Sequence, residues 1–176
     1  MARGPKSKAA PPPPPPSGIE VRPAWRRHDP AIESDAIDFW NRLDVLPPGV
    51  KPEERAKQLI AAAYKDGRLV AVSTATIEYV DILRARFAVL RGATDPEYRR
   101  SGAQLALAVP SRQILEQWAK AHPEEKLAGG IAFVETSEWG PFARLPVWPE
   151  SELTLIGYMP DGRQIRAAWF DHFRFD

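Results

Sequence analysis

The chain has 176 residues, 44% of them hydrophobic, which is enough for one good core and short for two. Its 24 basic residues are balanced by 23 acidic ones, and the net charge of +1 argues against a general nucleic-acid binder. There is no cysteine, which excludes disulfides and thiolate chemistry. No run of about 18 apolar residues spans a membrane, and the N-terminus lacks the apolar core of a signal peptide. These features together predict a cytoplasmic protein.

Residues 1–18 read as a tail, with Arg3, Lys6 and Lys8, no acid, and six consecutive prolines from Pro11 to Pro16. Such a run favours a stiff polyproline II segment of about 3 Å per residue. It serves either as a disordered extension or as a docking peptide for a protein partner. Residues 19–176 read as a single domain. Ile19–Trp25 alternates apolar and polar residues, and Pro23 limits that strand to a sheet edge. Asp29-Pro30 is an N-cap followed by proline at the first helical position. The helix that follows places Ile32, Ala36, Phe39, Trp40 and Leu43 on one side, before Pro47-Pro48.

A second helix is expected from Pro52, with Glu53 and Glu54 in its first turn and Gly67 past its end. Ala56, Leu59, Ile60, Ala63 and Tyr64 recur at helical spacing. Leu69–Val80 and a segment from about Leu83 to Thr94 are strand-like, and their brief connection predicts an antiparallel hairpin. Asp95-Pro96 ends the second of these strands. Tyr98–Gln104 then leads into an Ala/Leu-rich helix that contains Pro110, so that the helix either kinks or restarts at Ser111. Gly130–Val134 is a short apolar run suited to a buried strand. Finally, Leu153–Met159 and Arg163–Phe173 flank Pro160-Asp161-Gly162, a hairpin signal.

A strand, a short basic turn with a glycine, and a helix start together make an anion site. The first helical N–H groups are unpaired, the helix dipole is positive there, and Arg99 and Arg100 add full charges. The turn Pro96–Gln104 resembles the pyrophosphate-binding turn of the GCN5-related N-acetyltransferase (GNAT) superfamily, written R/Q-x-x-G-x-G/A. Arg99 matches its first position and Gly102 its central glycine. Gln104 stands where the family has glycine or alanine, and a long side chain there can crowd the pyrophosphate.

The order β-α-α-β-β-α-β-(α)-β-β around the turn is also similar to that superfamily, and implies an α+β, GNAT-like fold with a mixed, mostly antiparallel sheet flanked by helices. The family more often has three strands before the turn; here there are two long ones, or a third hidden by a bend. The resemblance implies that Gly130–Val134 lies parallel to the strand ending at Thr94, with the two splayed to admit a pantetheine arm.

By the same resemblance, Arg99, Arg100, Ser101, Gly102, Ala103 and Gln104 hold the pyrophosphate of acetyl-CoA or a longer acyl-CoA, without a metal. A backbone N–H at Ala93 or Thr94 polarises the acyl carbonyl. Acyl transfer also needs a base for the acceptor amine and an acid for the thiolate. Glu78 and Glu135 are the candidate bases. The family's tyrosine acid has Phe142 as its nearest equivalent, which has no proton to give; Tyr79 and Tyr158 have no positional support. His28, His122 and His172 are scattered and match no metal-site spacing. Trp139, Phe142, Trp148, Trp169 and Phe170 read as core, with Trp139–Trp148 as an alternative wall for an acyl chain.

The resulting reading is an N-acyltransferase acting on an unknown small-molecule or peptide amine. A long-chain donor, as used by N-acyl amino acid or acyl-homoserine lactone synthases, is one alternative. A non-catalytic domain that binds a protein partner is the other.

Overall fold

A pair of parallel strands sits at the centre of a seven-stranded sheet whose other neighbours are all antiparallel. The computed structural model describes residues 18–99, 101–135 and 143–175. In chain order the elements are β1 (Ile19–Pro23), α1 (Pro30–Leu43), α2 (Pro52–Ala56), β2 (Leu59–Lys65), β3 (Arg68–Val80), β4 (Ala85–Thr94), α3 (Ala103–Ala121), β5 (Leu127–Val134), β6 (Thr154–Tyr158) and β7 (Gln164–Trp169). The sheet runs β1-β2-β3-β4-β5-β7-β6, with β4 and β5 as the parallel pair. The fold is α+β, and β1, carrying Pro23, lies at its edge as a proline-bearing strand should.

The Asp29 carboxylate accepts from the Ala31 and Ile32 N–H groups and so caps α1. Ile32, Ala36, Phe39 and Trp40 are buried against β2 and β3, with Leu43 packed beside them. The α3 helix covers the opposite face, where Ala103, Ala106 and Leu107 meet Ala61, Ala63 and Val70. It runs as one element through Pro110. The β3–β4 hairpin, the parallel β5 and the final β6–β7 hairpin form as expected.

The expected second helix does not extend to Gly67. It is one turn, Pro52–Ala56, and the next residues form the strand β2 between β1 and β3. The observed order is therefore β-α-α-β-β-β-α-β-β-β. The reason is burial on both faces: Ala62 and Tyr64 pack toward α1, whereas Ala61 and Ala63 pack toward α3. A strand covered by helices on both sides loses its polar alternation and becomes a continuous apolar run. Three successive alanines then mimic helix propensity. The tail through residue 17, and Trp139, Gly140, Pro141 and Phe142, lie outside the described residues.

Candidate active site

The central strands part company halfway along. β4 and β5 are paired from Arg86↔Leu127 to Val89↔Ile131, and β4 continues to Thr94 without that neighbour. Asp95 donates its N–H to the Val70 carbonyl of β3. By the two-residue alternation of an antiparallel ladder, Ala93 and Arg91 also turn their backbone groups to β3. Thr94 and Gly92 turn theirs toward the fork, and Leu90, next to the last β4–β5 pair, turns its own toward β5. Of the two expected carbonyl polarisers, Thr94 has its N–H on the open side and Ala93 has its own on the β3 side, with its side chain packed against the α1 cluster.

A cavity of about 520 Å³ occupies the fork beneath α3. Leu90, Gly130, Leu115, Leu153, Ala168 and Phe170 make most of its wall apolar. Ser73 and Ser111 supply a buried polar spot, their hydroxyls 2.7 Å apart, with Ser73 Oγ donating to the Ala61 carbonyl. The charged residues at the wall are Arg91, Arg112 and Glu150. Arg112 is ion-paired with Glu152, and its buried Nε has no hydrogen-bond partner among the described residues. A ligand acceptor in the cavity could therefore take this bond.

One end of the cavity reaches the start of α3 at Gln104 and Leu105, beside the basic turn. Asp95, 1% exposed, anchors that turn by accepting from Arg42 Nη1 at 2.8 Å, Arg68 Nη2 at 3.0 Å and the Glu97 N–H at 3.0 Å. Gly102 follows at φ 84°, a left-handed conformation that glycine adopts without strain, and it caps α3. The first i→i−4 bond of the helix is Ala106 N–H to the Gly102 carbonyl, so the preceding N–H groups of Gln104 and Leu105 lie at the open helix start. Ser101 Oγ accepts from the Ala103 N–H at 3.3 Å, Ala103 is buried, and Arg99 is exposed. Arg100 lies outside the described residues.

Gln104 turns inward to β4 rather than across the helix start. Its Oε1 accepts from Thr94 Oγ1 at 2.8 Å, and a Cβ at Gly92 would lie 2.4 Å from its Nε2. Gly92 thus makes room for the long Gln104 side chain.

The two candidate bases lie apart from the cavity. Glu78 is exposed on β3, bonded to Thr76 Oγ1 and 3.6 Å from Arg91. Glu135 is exposed just past β5. Neither lines the cavity, whereas Glu150 does. Glu150, Arg112 and the cavity role of Ser111 were missed in the sequence, and the wall expected over Trp139–Trp148 continues past it through Ser151 and Leu153. Trp148, already named as an alternative chain-pocket residue, does line the cavity.

Arg166 explains how that wall is held. It is fully buried, donating to the carbonyls of Ala143, Leu145 and Leu153 and to Gln164 Oε1, with its guanidinium 4.4 Å from the Trp148 ring centre. Burial pushes its pKa below the ordinary guanidinium value. A strand arginine flanked by Ile165 and Ala167 was the available signal: a charge inside an apolar run must find partners.

The fold is shared with solved acetyltransferase structures. A GNAT-family acetyltransferase from Streptococcus pneumoniae is 13% identical, with a TM-score of 0.54, over 86% of this chain and 99% of that one. The putative acetyltransferase yncA from Salmonella typhimurium, solved with its cofactor acetyl-CoA, is 11% identical, with a TM-score of 0.54, over 89% and 96%. A bacterial toxin is 14% identical, with a TM-score of 0.53, over 88% and 92%. No protein-family model matches the sequence, and no curated protein matches it.

Proposed function

We propose that this chain, which has the GNAT fold in a sequence far from the matched structures, is an acyl-CoA-dependent N-acyltransferase. The observation that carries the reading is the continuity of the fork cavity with the open start of α3. Gly102 and the Gln104 and Leu105 N–H groups suit a pyrophosphate, with Arg99 adding charge at the rim. Backbone groups of Gly92 and Thr94, beyond the last β4–β5 pair, suit the amide-bearing arm that follows. The apolar wall of Leu90, Leu153 and Phe170 suits the acyl end.

In the reaction, the acceptor nitrogen bonds to the acyl carbonyl carbon, the carbon–sulfur bond breaks, and the thiol leaves with a proton. The chain's part is to polarise the carbonyl from a fork-facing N–H of Gly92 or Thr94, and to take the amine's proton. Among the described residues, Glu150 is the carboxylate at the cavity wall; Glu78 and Glu135 are the carboxylates to compare with it. The apolar lining, including Trp148, also favours donors longer than acetyl as a second reading.

The test uses the absence of cysteine, which leaves released CoA as the only thiol in the mixture. The protein is incubated with acetyl-, octanoyl- or palmitoyl-CoA and a panel of amines, and thiol release is followed with a thiol-reactive dye. Amine-dependent release supports the reading, and the preferred chain length chooses the donor class. No amine-dependent release with any donor, in protein shown to be folded, contradicts it and favours the binding-domain alternative.

A further inference from the structure

The opposite end of the sheet has its own cleft. There β4 and β5 start side by side, each entered from a single 3₁₀ turn, Asp81–Leu83 and Pro123–Glu125. Each turn ends on a cation in the left-handed conformation, Arg84 at φ 50° and Lys126 at φ 47°. Long side chains adopt that conformation rarely. A cavity of about 780 Å³ opens between them and shares no lining residue with the fork.

Its lining is basic and aromatic. Arg84, Arg86, Lys126, Arg174 and His172 line it, and among the described residues no carboxylate does. Glu125 stands at the edge, bonded to Arg86 at 2.7 Å, and Glu116 approaches His172 at 3.9 Å. Arg174 Nη1 donates to the carbonyls of Asp171 and Phe173. Large apolar side chains surround these charges in the open: Tyr79 is 59% exposed, Phe175 62%, and Ile82, in the turn before Arg84, 75%.

Exposed rings and aliphatics set among cations are a combination typical of protein interfaces. A small inorganic anion would use the charges and leave the apolar surface wet. A chain segment bearing carboxylates and apolar side chains uses both. The protein's own tail does not fit, because Arg3, Lys6 and Lys8 carry the same sign and no acid accompanies them. We propose that this cleft at the start of β4 and β5 is a docking site for an acidic peptide segment, carrying apolar side chains, on a partner protein.

The test is fluorescence anisotropy of the full chain with a fluorescein-labelled hexapeptide of alternating glutamate and phenylalanine. The variants are Arg84→Asn with Lys126→Asn, since asparagine tolerates the left-handed conformation, and Phe175→Ser. The expected result is saturable binding that weakens with salt, is lost when lysine replaces glutamate in the peptide, and weakens about tenfold or more in the double variant. The lysine peptide needs no variant, so the test survives a variant that fails to fold. Equal binding of the lysine peptide, unchanged binding by the folded double variant, or no binding at about millimolar peptide overturns the proposal. So does anionic-vesicle binding without peptide binding, or self-association abolished by the same variants.

Discussion

Asp95→Asn tests the anchor on which the turn before α3 depends. Asparagine keeps the shape and one acceptor for the Glu97 N–H, but loses the charge that faces Arg42 and Arg68. Charge-assisted hydrogen bonds are worth about 1.5–3 kcal/mol each. The two arginine side chains are 41% and 45% exposed, so both recover water and the loss falls toward the low end. The expected cost is about 2–3 kcal/mol, read at pH 7 as a lower urea midpoint with an unchanged slope.

The pH dependence follows from the carboxylate's own titration. Burial pushes the Asp95 carboxyl up, but the bonds from Arg42 and the Glu97 N–H, with the charges of Arg42 and Arg68, outweigh it and hold the pKa below the ordinary value. A group held low in the folded state stabilises fully above its unfolded pKa of about 4, and that stability fades as pH falls through the lower folded value. The gap between wild type and Asp95→Asn should therefore close below about pH 4. A gap under about 0.5 kcal/mol at pH 7, or one that stays constant down to about pH 2, refutes the reasoning.

Gly92→Val should push Gln104 off β4 and narrow the fork; acyl-CoA affinity should fall about tenfold or more by calorimetry, and unchanged affinity would move the donor elsewhere. Arg166→Met leaves the Leu145 carbonyl without its donor and the Ala143 and Leu153 carbonyls with one donor each, Gln164 Nε2 and the Trp148 N–H, at about 1–3 kcal/mol, and should speed proteolysis within residues 143–153. Equal resistance would show that the wall stands without it. Ile60→Ala, at a fully buried position of β2 beside the cavity, should cost about 2–5 kcal/mol in urea unfolding, and a loss below about 1 kcal/mol would contradict the two-faced burial of this strand. Glu150→Gln should lower turnover about a hundredfold or more with donor affinity kept, whereas a larger fall in Glu78→Gln or Glu135→Gln would reassign the base.

Much of the fold was legible because its signals are local. The Asp29-Pro30 cap, the helical spacing from Ile32 to Trp40, the β-branched run of β3 and the Asp161-Gly162 turn each depend on neighbours a few residues away. The strand β2 was hidden because its two buried faces erase alternation and its alanines favour a helix on paper. The basic turn and its glycine could be read directly. The cavity wall could not, because Arg112 on α3 and Glu150 before β6 are brought together only by the β5–β7 crossover. Gln104 stood out in the sequence as a misfit, and only its bond to Thr94, across the space left by Gly92, shows where the side chain goes.

Backbone amide hydrogen exchange, with and without saturating acetyl-CoA, tests the central claim most directly. A donor seated in the fork should slow exchange in peptides covering Leu90–Thr94 and Ser101–Leu105, where amides face the opening or the helix start. Repeating the experiment with palmitoyl-CoA reads the chain-length preference, with protection extending to Leu153–Phe170 if the acyl chain fills the apolar wall. Exchange unchanged by every donor, or protection confined to Arg84–Arg86 and Lys126 at the other end of the sheet, would contradict a donor site between β4 and β5.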